Sequence, residues 1–131
     1  MESKTFLDFL PTNFRHEKSY FIQNNLTNFE KLSNLSDSDI NEILRKSSLC
    51  TLNNLKKIRA IAIFKKEIAI SPAEAYLLLH CGIGSIKSLS LSTPYELVRK
   101  IGRLERSLRV KSETDITVYL LKKWIKRANE V

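Results

Sequence analysis

The run Leu79-His80-Cys81-Gly82-Ile83-Gly84-Ser85-Ile86-Lys87-Ser88 holds the residue types with the most distinctive chemistry. Two of the chain's three glycines fall in it. Glycine enters φ > 0 without a Cβ penalty and leaves its backbone open to close approach, so the run predicts a tight turn between two helices. A helix starting at Ser85 would present unpaired N–H groups and its positive end to an anion, and Lys87 would add a charge. Gly82, Ile83, Gly84, Ser85 and Lys87 are therefore candidate phosphate contacts. A purely structural turn would use the same glycines, and both readings stand.

Two basic helix faces point the same way. At about 100° per residue, a helix over 114–128 gathers Leu120, Leu121, Trp124, Ile125 and Ala128 on one side. Tyr119, Lys122, Lys123, Lys126 and Arg127 fall on the other. Arg99, Arg103 and Arg106 stand opposite Leu97, Ile101, Leu104 and Leu108, provided Gly102 does not break that helix. Arginine forks suit phosphate oxygens, and Tyr119 amid lysines suits stacking on a base. A solvated face is the plainer reading of any single charged helix side. Trp124 is read as core.

The elements that must carry these residues announce themselves by their starts. Ser or Thr is followed three residues later by an acid at Thr27/Glu30, Ser36/Asp39, Ser71/Glu74, Thr93/Glu96 and Ser112/Asp115. In such a capping box the hydroxyl accepts from a first-turn N–H while the acid reaches back. Pro72 and Pro94 directly follow Ser71 and Thr93, the first helical position, where a missing N–H costs nothing. Helices are expected near 14–24, 27–33, 37–46, 51–66, 72–80, 85–90, 94–108 and 114–128. The stretch 58–64 is apolar nearly all round, so its helix should be central. Only three Gly and three Pro leave little punctuation for closely spaced strands, and the fold class is all-α.

A repeat emerges when Asn25-Leu26-Thr27-Asn28-Phe29-Glu30-Lys31-Leu32 is set beside Gly82-Ile83-Gly84-Ser85-Ile86-Lys87-Ser88-Leu89. A third copy is Ser48-Leu49-Cys50-Thr51-Leu52-Asn53-Asn54-Leu55. Their unequal spacing argues for a reused supersecondary unit and against a regular solenoid. The expected organisation is an N-terminal tail over 1–13 and one helical domain over 14–131. Within that domain, weaker units occupy 20–66, the best-formed unit 71–109 and a closing helix 114–128.

The glycine run resembles the helix-hairpin-helix signature: an apolar residue, Gly-apolar-Gly, then a small residue four positions on. Gly-Ile-Gly, the Ser-Leu-Ser of 88–90, the Pro94-Tyr95-Glu96-Leu97 start and the closing Trp124-Ile125-Lys126-Arg127-Ala128 extend the likeness over residues 78–128. This segment resembles a family of tandem helix-hairpin-helix-like domains of unknown function, domain of unknown function 4332, found in bacteria and cyanobacteria among them. It is also similar in outline to the small hairpin domain preceding the recombinase core of archaeal RadA proteins. With the weaker copies, the likeness covers about residues 20–128. It implies a compact bundle of short helices built from three hairpin units, and contact with nucleic acid. The hairpins at Asn24-Asn25-Leu26 and Ser47-Ser48-Leu49 lack glycine, which leaves one of three equipped for close phosphate approach.

No catalytic constellation accompanies the hairpin. Helix-hairpin-helix glycosylases pair a lysine near the hairpin with an aspartate on a following loop, whereas Asp115 comes late and at a helix start. Paired carboxylates, a Ser/His/Asp set and a Walker loop are absent from the sequence. Cys50 and Cys81 lie far apart and form no ligand-spaced cluster with His16 and His80, so they are read as reduced buried thiols. Neither an enzyme nor a cofactor or metal is expected.

The net charge of +8 is unevenly spread: residues 1–44 hold four basic and seven acidic side chains, residues 45–131 eighteen and seven. The basic part suits a polyanion, although excess cations also serve solubility. No window approaches the ~20 apolar residues of a membrane span, and the start lacks the basic-then-apolar pattern of a signal peptide. A cytoplasmic location is expected. The expected function is a non-catalytic module that binds nucleic acid, DNA before RNA, through phosphates and without reading sequence. The alternative is a protein-interaction adaptor that touches no nucleic acid. No membrane partner is expected, because the core needs the apolar side of the closing helix, and no small-molecule substrate is expected either.

Overall fold

The computed structural model describes residues 6–108 and 116–131. Among these residues eight α-helices follow one another: α1 (Arg15–Gln23), α2 (Phe29–Ser33), α3 (Asp37–Lys46), α4 (Leu52–Ile68), α5 (Pro72–His80), α6 (Ile86–Ser90), α7 (Pro94–Leu108) and α8 (Val118–Glu130). Two 3-10 turns, Phe6–Phe9 and Thr12–Phe14, precede them. Among the described residues no strand forms, and the all-α expectation holds. No helix among them is long and apolar enough to cross a membrane.

Helix α4 is the axis on which the others gather. Leu55, Ile58, Ile61, Ala62, Phe64 and Ile68 are buried along it, and α2, α3, α5 and α8 all pack against it. A helix covered from several sides keeps no wide polar face, which accounts for the nearly continuous apolar run. Arg59 lies within that run, and its Nη1 donates to Leu35 O and to Asp37 Oδ1, both at 3.0 Å. The α4 C-terminus closes on Ala69 at φ +58, a left-handed residue without the freedom of glycine.

The helix starts follow local capping chemistry. Ser36 with Asp39 and Ser71 with Glu74 form the anticipated capping boxes, and α5 and α7 begin at Pro72 and Pro94. The box expected at Thr27/Glu30 is replaced: Asn28 caps α2, its Oδ1 accepting from Glu30 N at 2.7 Å. Asn is at least as good a cap as Thr, and starting one residue later makes Phe29 the first helical residue. Helix α8 begins at Val118 and not at 114, because Thr117 Oγ1 accepts from Leu120 N at 3.2 Å. The Ser112/Asp115 pair lies outside the described residues.

Two long-range ties had no counterpart in the sequence patterns. Glu17 of α1 is fully buried and accepts from Thr51 N at 2.9 Å and from Asn54 Nδ2 at 3.2 Å, completing the α4 N-terminus. The stretch 6–13, set apart above as a tail, docks from its first described residue. Phe6 and Leu7 are buried, the Phe6 ring lies 6.1 Å from that of Phe29, and Lys18 pairs with Asp8 at 3.2 Å. An apolar run of so few residues carries no helical period, so its burial could not be read in advance.

Candidate functional site

The glycine run turns as its composition demands, with a different task for each glycine. Cys81 N donates to Leu77 O, Gly82 N to Leu79 O at 3.0 Å, and Ile83 N to Leu78 O at 2.9 Å. Gly82 is left-handed at φ +85 and closes the end of α5. Gly84 is exposed and does not have a left-handed φ, and a Cβ on it would meet only Leu79 Cδ2, at 4.0 Å. Neither the backbone nor a described neighbour requires glycine at 84. Ser85 caps α6 reciprocally with Ser88, each backbone N–H donating to the other's Oγ at 3.1 Å. Lys87 is exposed on α6, and Ile83 is half-buried against the core.

The partner of this turn comes from α4. Gly84, Ser85 and Ile86 face Lys56, Arg59 and Ile63 across a groove of about 310 Å³. Lys56 is exposed there, while Arg59 is occupied by Leu35 O and Asp37. Sequence reasoning missed Lys56, since nothing local ties a lysine in the first turns of α4 to a glycine in a later loop.

The turn after α1 has the same backbone as the turn after α5. Asn25 is left-handed at φ +58, and Leu26 N donates to Phe21 O at 2.8 Å, matching Ile83 N to Leu78 O. Asn28 and Ser85 then cap five-residue helices whose Leu32 and Leu89 are fully buried. Asn tolerates the left-handed region through its short polar side chain, so the missing glycine was no obstacle to the turn. The segment 48–55 differs: Ser48 is not left-handed, and Thr51 caps the 17-residue α4.

The two basic faces meet. Helix α7 runs unbroken through Gly102, buries Leu97 and Ile101, and exposes Arg99, Arg103 and Arg106. The Arg106 guanidinium folds back so far that a Cβ on Gly102 would lie 3.5 Å from Nη1. Leu104 is half-buried, and the side chain of Leu108 lies outside the described part. Helix α8 buries Leu121, Trp124 and Ala128 and exposes Tyr119, Lys122, Lys123 and Lys126. Lys122 Nζ stands 5.5 Å from the centroid of the Tyr95 ring at the start of α7, and Lys123 Nζ stands 4.6 Å from that of Tyr119. The basic face of α8 thus reaches α7 at Tyr95.

Arg127 is exposed like the rest of its face and also serves the fold. Its Nη1 donates to Ile68 O at 3.0 Å, satisfying a carbonyl at the last turn of α4, where cations complement the helix dipole. The thiols are free. Burial pushes both Cys50 and Cys81 upward in pKa, and nearby Lys100 moderates the shift at Cys81.

These features define a small all-helical domain that carries a glycine turn beside a lysine and, on α7 and α8, a broad basic surface. Residues 11–131 match the family described as Domain of unknown function (DUF4332), and the chain belongs to that family. No curated protein and no solved structure matches the chain.

Proposed function

We propose that the protein is a non-catalytic nucleic-acid-binding module of the cytoplasm that grips phosphates without reading sequence. The observation that carries this reading is the contact of Lys122 with Tyr95, which joins the exposed basic face of α8 to the start of the arginine-bearing α7. Such a surface concentrates positive potential and attracts a polyanion, and backbone contacts hold a strand without selecting bases. The turn at Gly82–Ser85 acts in this reading as a helix-hairpin-helix. Gly84 admits a phosphate close to the backbone, and Lys56 and Lys87 add charge beside it.

A protein-interaction adaptor is the second reading, and Leu91, 76% exposed at the end of α6, speaks for it. A pull-down from nuclease-treated lysate distinguishes the two, because a partner that survives the nuclease favours the adaptor.

The direct test is fluorescence anisotropy with labelled DNA and RNA, duplex and single-stranded, across a salt series. Micromolar or tighter binding with a steep salt slope, weakened by Gly84→Val and Arg103→Gln, supports the proposal. No binding even at low salt overturns it.

A further inference from the structure

Tyr95 and Tyr119 are 57% and 69% exposed, so each helix of the basic surface presents a large ring that the core does not use. A lysine ammonium lies over each: Lys122 over Tyr95 at 5.5 Å and Lys123 over Tyr119 at 4.6 Å. Tyr119 and Lys122 are three residues apart on α8 and therefore neighbours on its surface. Lys122 thus reaches the Tyr95 ring from a position one turn after Tyr119. Arg99, Arg103 and Arg106 continue from Tyr95 along α7 at helical spacing, and Lys126 continues from Lys122 along α8.

Two largely exposed rings in a cationic field suit unpaired bases. Every base has a π-face that stacks on an aromatic side chain, and the phosphates between bases meet the ammonium and guanidinium groups. A duplex offers the same phosphates but keeps its bases stacked inside, which would leave both rings uncovered. An acidic peptide would answer the charges and not the rings. Building on the nucleic-acid reading above, we infer that the α7–α8 surface takes single-stranded nucleic acid, with bases stacked on Tyr95 and Tyr119 and phosphates held by Lys122, Lys123 and Arg99.

The test uses the full chain and three labelled probes of equal charge: an oligothymidylate, an abasic strand of the same length and a duplex. The oligothymidylate should bind about tenfold more tightly than the abasic strand. The double variant Tyr95→Leu/Tyr119→Leu should lose that advantage, and Tyr95→Phe/Tyr119→Phe should retain it, with both variants unfolding thermally as the parent does. Equal affinity for oligothymidylate and abasic strand, or an unchanged advantage in the Leu variant, overturns the inference. Displacement of the strand by polyglutamate at equal charge concentration also overturns it, in favour of an acidic protein partner. Tight, salt-sensitive duplex binding alongside such a failure leaves the broader proposal standing, whereas no binding to any of the three probes removes both.

Discussion

Lys122 Nζ lies 5.5 Å from the centroid of the Tyr95 ring, and this contact joins α8 to the start of α7. The cations of the two helices differ in what they do for the fold. Arg103 and Arg127 are both exposed, and Arg127 in addition donates to Ile68 O.

The first prediction uses that difference. Arg103→Gln should leave stability within about 0.5 kcal/mol, as surface substitutions do. It should lower the slope of log K against log salt for duplex DNA by about 0.9, one phosphate contact. Arg127→Gln should instead cost about 1 kcal/mol of stability, since it removes a hydrogen bond to a helix-end carbonyl. Urea unfolding and salt-dependent anisotropy on both variants check the contrast.

A second prediction separates the glycines. Gly82→Ala should destabilise the protein by about 1 kcal/mol, the cost of holding an L-residue in the left-handed region. Gly84→Ala should cost nothing measurable in stability, because its backbone is not left-handed and its surroundings are open. Any affinity lost by Gly84→Ala therefore reports on contact with a ligand. By the same reasoning Ala69→Gly, at φ +58, should stabilise the protein by up to about 1 kcal/mol in urea unfolding.

The third concerns the tie between α1 and α4. Removing the buried Glu17 carboxyl leaves the Thr51 N–H without its side-chain acceptor and takes one of two acceptors from Asn54 Nδ2, which also donates to Asn13 O at 3.1 Å. Glu17→Ala should cost about 2–3 kcal/mol, and the midpoint of urea unfolding should fall accordingly. A loss under about 0.5 kcal/mol would show that water replaces the carboxyl at no penalty.

Thiol chemistry supplies the fourth. Burial raises the pKa of Cys50 and Cys81, so less thiolate forms at neutral pH than on a free cysteine. Iodoacetamide at pH 7.5 should label the half-buried Cys81 before the buried Cys50, and both more slowly than after unfolding. In linkage terms, a folded pKa above the unfolded value favours the fold below the unfolded pKa of ~8.5, and this contribution is lost as pH rises through the folded value. Stability should accordingly decline on the alkaline side of about pH 8.5, and less so in Cys50→Ala.

Much of the helical layout was legible because its causes are local. Ser36 with Asp39, and Ser71 with Pro72 and Glu74, act within one turn of chain, so their spacing alone locates α3 and α5. The same holds for α7 and for the apolar and basic sides of α8, which follow from helical periodicity. Where two local caps competed, at Thr27 and Asn28, spacing chose the wrong one. The left-handed Asn25 was hidden because its conformation depends on the chain continuing to Leu26, whose N–H returns to Phe21 O.

The amino-acid sequence by itself determined an all-helical chain, most helix boundaries, a left-handed turn at Gly82 and which faces of α7 and α8 are cationic. Each is set by interactions among residues a few positions apart. Only the tertiary structure decided that Lys56 stands across a groove from Gly84, that Glu17 completes the start of α4, that Arg127 serves Ile68, and that Tyr95 meets Lys122. These pairs are distant in the chain. Their proximity follows from how α2, α3, α5 and α8 pack around α4 and how α6 and α7 lie on α8, which burial of the whole apolar core settles collectively and no single segment encodes.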